Sequence, residues 1–293
     1  MLHRFLLALL LTLSTVAAAD LRVAVLHPLL GDMVREIGGN HVEVVDLIGP
    51  KGDPHHFEPT PENLKQAENC QLYLAAGMGL EGYLPKLRGV LAGRARIVEI
   101  GASLPALEGA CEDHDHAGHH HHTLDPHWWH SIQLFSRATQ TVADALIAES
   151  PQHTEAFLRN TAAYRARLDE LEKWTRRQIA RIPRQNRQLA TAHAAFNYFC
   201  KDFGFTPIPV QGVNREQSPD PQQLAKLVQT LKSHKVLAIF PEQESNPKIL
   251  QTLTQDTGIR LGQPLIADGT GGKTYEEMVK QNVTNIVDAL SDR

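Results

Sequence analysis

The sequence predicts an α/β protein of two lobes, each a mainly parallel sheet flanked by helices, joined by one long spine helix. Three observations carry this. Short β-like runs alternate with helical patterns up to about residue 150. The alternation restarts after Pro183, and between the two stretches residues 151–182 form one unbroken helical pattern. Strand–helix alternation implies parallel pairing with crossover helices, and 293 residues suit two domains.

The elements follow in order. Residues 21–26 (LRVAVL) read as a strand, and residues 29–37 as an amphipathic helix that stops at Gly38-Gly39. Residues 42–48 (VEVVDLI) are a second strand, and residues 61–68 a helix with Pro61 in its first turn. Residues 72–76 and 95–100 give two more strands. Residues 104–125 have no hydrophobic period and read as a loop, and residues 131–147 as a helix. In the spine, Phe157, Tyr164, Leu168, Leu171 and Trp174 recur at helical spacing. Its roughly 30 residues would span about 45 Å; the plainer alternative is one long helix across a single domain. Beyond it, residues 188–192, 206–210, 236–240 and 265–267 read as strands, and residues 194–203, 221–233, 247–257 and 275–290 as helices.

The expected organisation is therefore a signal peptide over 1–19, an N-terminal lobe over 20–150 with a His-rich loop at 112–122, a spine over 151–182 and a C-terminal lobe over 183–293. Arg4, the apolar run 5–13 and Ala17-Ala18-Ala19 give the export pattern, with cleavage after about Ala19. No Cys follows the run, so a lipoprotein anchor is not expected, and no later stretch is long enough to span a bilayer. Cys70, Cys111 and Cys200 allow at most one internal disulfide. Either Cys70 pairs with Cys111 or all three are free thiols. The formal charge of −4 argues against nucleic acid, which needs a basic face.

Of the 16 histidines, eight crowd into residues 114–130. His114, His116, His119, His120, His121 and His122 are irregularly spaced in EDHDHAGHHHH, which suits a flexible, low-affinity metal collector rather than one rigid site. Four other residues sit where strands end or helices begin, where ligands bind in open α/β sheets. They are His55 in GDPHHFEPTP, His127 in DPHWWHS, His193 in ATAHAAFNYF and Asp268 in PLIADGTGG. Each alone has an ordinary structural explanation. Together, two before the spine and two after it, they would meet across a cleft between lobes. Three imidazoles and one carboxylate suit Zn²⁺ first. Asp125 either caps the helix after His127 or orients a histidine ring.

Two competing motifs are weaker. Gly77, Gly79 and Gly82 in GMGLEG match a dinucleotide fingerprint, with Glu99 as the ribose-binding acid. It follows the third strand rather than the first, however, and Glu81 is a poor neighbour for pyrophosphate. A secreted zinc hydrolase would need an open metal position, which Asp268 would fill. There is no H-E-x-x-H or G-x-S-x-G, and only Glu58, Glu242 and Glu244 stay open as a general base.

The segments DPHHFEPTP, GLEGYL, DPHWWHS, TAHAAFNYF, SNPKIL and IADGTGG, with the spine, resemble the ZnuA-like (cluster A-I) substrate-binding proteins of zinc and manganese ABC importers. The resemblance covers nearly all of the mature chain. It implies metal held between two lobes by residues matching His55, His127, His193 and Asp268. It also implies a periplasmic binding protein, not an enzyme, acting as a monomer and delivering Zn²⁺ to an inner-membrane permease with its ATPase. Manganese-type members typically carry Glu at the third position, so His193 marks the sequence as zinc-type, with Mn²⁺ second. A metal-binding adhesin or zinc chaperone of the same fold is the other reading. His56 beside His55 leaves the register of the first ligand open, and the second His of DPHWWHS departs from the family pattern.

Overall fold

The computed structural model describes residues 21–49, 52–109, 124–211, 220–243, 248–269 and 271–291. The expected signal peptide and the His-rich loop lie outside them. In the first half, β1 (Leu21–Val25), β2 (Val42–Asp46), β3 (Leu72–Ala75) and β4 (Arg96–Glu99) form a parallel sheet of order β2-β1-β3-β4. β3 is buried at every position and β1 at all but Arg22, as a central parallel strand must be with helices on both faces. Helices α1 (Pro28–Gly38), α2 (Pro61–Gln66) and α3 (Leu84–Leu91) connect the strands. Thr60 caps α2 in a capping box with Asn63.

The stretch expected to be a loop before the next helix contains a small antiparallel pair, β5 (Leu107–Glu108) with β6 (Leu124–Asp125). The pair joins the two ends of the segment that carries the His cluster. Helix α4 (Ile132–Glu149) follows, and Ser131, not Asp125, is its N-cap, accepting from Leu134 N. A 3-10 turn, Pro151–His153, leads into α5 (Thr154–Ile179). Phe157, Thr161, Tyr164, Leu168, Leu171, Thr175 and Ile179 form the buried stripe of α5 at three- and four-residue spacing. That stripe lets α5 pack on α1 and α4 and on the last helix of the chain.

The second half holds β7 (Gln188–Thr191), α6 (Asn197–Phe203), β8 (Thr206–Pro209), α7 (Pro221–Ser233), β9 (Ala238–Phe240), α8 (Lys248–Thr257), β10 (Arg260–Leu261) and α9 (Tyr275–Leu290). Its sheet is parallel, in the order β10-β9-β7-β8. Two expectations are corrected here. Residues 265–267 are not a strand: Leu265 makes one isolated bridge, to Glu242, and the edge strand is the two-residue β10. Helix α6 begins at Asn197 rather than Ala194, leaving residues 192–196 as a loop.

One continuous apolar core runs through both halves, from Val23 and Leu74 through Trp128, Phe135 and Leu168 to Phe240, Tyr275 and Ile286. The stacked Phe135 and Tyr275 rings, 3.5 Å apart, lie within it. Cys70 and Cys200 are buried free thiols, and Cys111 lies outside the described residues. Among the described residues no helix is long and apolar enough to cross a membrane.

Candidate metal site

The site assembles from four loops. After β2, Asp46 accepts from Ile48 N and Gly49 N and turns the chain. Asp53 then decides the register. Its Oδ1 accepts from His55 N at 2.9 Å and its Oδ2 pairs with His56 Nδ1 at 3.1 Å. His56 is thereby held outward and half exposed, while His55 points into the interior.

His127 and His193 are held by the same device. Asp125 Oδ1 accepts from the backbone N–H of His127 at 3.0 Å and faces its Nδ1 at 2.7 Å. Glu242, at the end of β9, accepts from His193 N at 2.9 Å and faces its Nδ1 at 2.6 Å. A carboxylate accepts only, so each Nδ1 carries a proton, and in the neutral ring Nε2 is the nitrogen left with a free lone pair. Such a carboxylate–histidine pair fixes the tautomer and raises ligand basicity. Of the two roles open for Asp125, the orienting one is therefore realised. Asn197 and Tyr198 hold the Asp125 carboxylate and carbonyl in turn, at 3.0 and 2.8 Å.

Asp268 follows the segment that lacks a strand ladder. Side chains supply the missing bonds: Asn282 pairs with both the N–H and the C=O of Ile266, and Trp129 Nε1 and His130 Nε2 both bond to the carbonyl of Ala267.

The three Nε2 atoms and the Asp268 carboxylate converge. His55 Nε2 lies 3.1 Å from His127 Nε2, which lies 3.3 Å from His193 Nε2. Asp268 Oδ1 is 3.4 Å from His55 and His127 Nε2, and its Oδ2 is 3.5 Å from His193 Nε2. Zn²⁺ bonds of about 2.0–2.1 Å in a tetrahedron separate the donors by about 3.3–3.4 Å. The five observed spacings, 3.1–3.5 Å, lie close to that edge, with the two Asp268 oxygens facing different rings.

The side chains of His127 and His193 are fully buried, and those of Asp268 and His55 nearly so. Burial opposes charge on His193, but the Glu242 and Asp268 carboxylates outweigh it and raise the ring to about 10. His127 is raised in the same way, against burial, by Asp125 and Asp268. Burial alone would push Asp268 up, yet the facing imidazoles hold it well below the carboxylate range.

The other motifs have different uses. In GMGLEG the amides of Ala76 and Gly77 donate to the Glu81 carboxylate, at 2.6 and 3.0 Å. The glycine loop thus binds the protein's own carboxyl group where a dinucleotide site would hold phosphate. Glu58 is an exposed partner of Lys86, Glu242 is engaged with His193, and Glu244 lies outside the described residues. So do His114, His116, His119, His120, His121 and His122. The sequence reading missed Glu242 as a positioning residue; its place at a strand's carboxyl end was the available signal. Two further histidines are buried, His27, which caps α1 and to which the sequence reading assigns no role, and His130, the second His of DPHWWHS.

Residues 23–289 match the family of the zinc-uptake complex component A, periplasmic (ZnuA). The chain belongs to this family. It is 31% identical to the manganese-binding lipoprotein MntA of Bacillus subtilis, over 94% of this chain and 91% of the relative. It is 27% identical to the zinc-binding lipoprotein AdcA of Streptococcus pneumoniae, over 86% of this chain and 52% of the relative. Its structure resembles that of the periplasmic zinc-binding protein TroA from Treponema pallidum, with a TM-score of 0.83 and 27% identity. That match covers 94% of this chain and 100% of TroA. As a ZnuA-family member the chain is a metal-binding component of an ABC importer, not an enzyme. Relatives named for manganese and for zinc both occur, so kinship leaves the metal open.

Proposed function

We propose that the protein captures Zn²⁺ in the periplasm, with His55, His127, His193 and Asp268 as the four ligands, and passes it to a permease with its ATPase. The observation that carries this reading is the donor set itself, three neutral-capable imidazoles and one carboxylate whose ligand atoms all lie within 4.8 Å of one another. Mn²⁺ favours more oxygen donors and a higher coordination number. A Glu at the third position would supply such a donor, and His193 does not.

Export through a cleaved segment 1–19 places the protein where thiol chemistry is oxidising. In this reading the His-rich loop 112–122 gathers ions for the buried site and is not part of it. The shared core and the long α5 limit opening of the lobes, so release comes from small shifts of the ligand loops.

The test is the metal content of protein recovered from the cell envelope after growth with both ions supplied. About one Zn²⁺ per chain is expected, and little metal on His193→Ala. Manganese as the dominant ion would overturn the assignment.

A further inference from the structure

His130 is the second histidine of DPHWWHS, and no ligand role falls to it. It lies at the end of the short turn Trp128–His130, three residues after His127. Its Nε2 is 2.8 Å from the carbonyl of Ala267, the residue before Asp268. Its ring lies 4.2 Å from Phe196, three residues after His193. Three ligand-bearing segments therefore meet at one buried side chain, 5% exposed.

The Ala267 carbonyl already receives Trp129 Nε1 at 2.8 Å. One donor leaves a peptide plane free to swing about the hydrogen bond. A second donor occupies the other lone pair and fixes the plane. That plane sets the direction in which Asp268 leaves the chain. The need for a second donor is specific to this segment, because residues 266–268 have no strand ladder to hold them. Burial pushes the His130 ring down to about 3, so it stays a neutral N–H donor at physiological pH. With a carbonyl as acceptor, the proton must sit on Nε2.

We propose that His130 is a positioning residue for the metal site, fixing Asp268 through the Ala267 carbonyl. The proposal rests on Asp268 being a ligand. A buried imidazole costs desolvation that an aliphatic side chain of like volume avoids, and its bond to Ala267 is what it gives in return.

Zn²⁺ affinity, measured by chelator competition on the full mature chain, tests this. His130→Leu is expected to lose about tenfold, the scale of outer-shell changes at metal sites. His130→Gln, which restores an N–H donor, should recover most of the loss. In an Asp268→Ala background His130→Leu should cost nothing further, because its effect passes through Asp268. An equal loss in that background, or no loss in the wild-type background, would overturn the proposal. If the Leu variant does not fold, His130→Met carries the same comparison. The underlying reading fails separately: wild-type chain that does not bind Zn²⁺, or Asp268→Ala that binds as tightly as wild type, removes the ligand and the proposal with it.

Discussion

Glu242 takes both the backbone N–H and the Nδ1–H of His193, 49 residues away in the chain. The carboxylate thus fixes the loop and the ring together, and Nε2 is left pointing at Asp268. Replacing it by Gln keeps the shape and one acceptor but removes the charge. Glu242→Gln should weaken Zn²⁺ binding by about 10–100-fold, with the far-UV spectrum unchanged. Unaltered affinity by chelator competition would show that ring orientation does not depend on the charge.

Metal uptake should release protons. In the metal-free protein the Glu242 and Asp268 carboxylates raise His193 to about 10, so that ring is charged at neutral pH, and Asp125 and Asp268 raise His127 in the same direction. Zn²⁺ binds only the deprotonated Nε2. Affinity therefore rises with pH through the neutral range and flattens once the pH passes the metal-free value for His193. His27 and His130, pushed down to about 3 by burial, are neutral throughout and contribute nothing. Calorimetry in buffers of different ionisation enthalpy should report about one proton released from His193 at pH 7. A buffer-independent enthalpy would contradict the charge assignment.

Asp32 ties three helices. From α1, its Oδ2 accepts from Tyr275 N at the start of α9 and from Tyr164 OH on α5, at 3.0 and 3.3 Å. Asp32→Ala leaves a buried helix-terminal N–H and a buried hydroxyl without their acceptor, a loss of about 1–3 kcal/mol. Denaturant unfolding measures it. A change under about 0.5 kcal/mol, the scale of ordinary surface substitutions, would mean that water or a neighbour replaces the carboxylate.

The His-rich segment is joined at its base by β5 and β6, so its removal should not disturb His127. Deleting residues 112–122 should abolish weak metal binding and leave one tight site, counted by equilibrium dialysis. Loss of the tight site would make the loop part of it.

The four candidate residues could be picked out because the sequence reads each as following a strand end or opening a helix; the structure brings all four together, although Asp268 follows a segment that is not a strand. The two sheets were legible from runs such as LRVAV and LYLA, whose burial leaves no polar face. What escaped the sequence is what depends on distant partners. Glu242 reads as one more acid until β9 lies beside β7. Residues 265–267 have the apolar run of a strand, but Asn282, Trp129 and His130 satisfy their backbone instead. The two-residue β10 is too short for any periodicity. DPHH could not tell His55 from His56, because the choice is made by the two oxygens of Asp53.

The central claim is that His55, His127, His193 and Asp268 close around one Zn²⁺. X-ray absorption at the zinc edge, on protein loaded with one equivalent, tests it most directly. The account predicts four N/O donors at about 2.0–2.1 Å, with scattering from three imidazoles, and one imidazole fewer in His193→Ala. Five or six donors, or an imidazole count unchanged by His193→Ala, would contradict it.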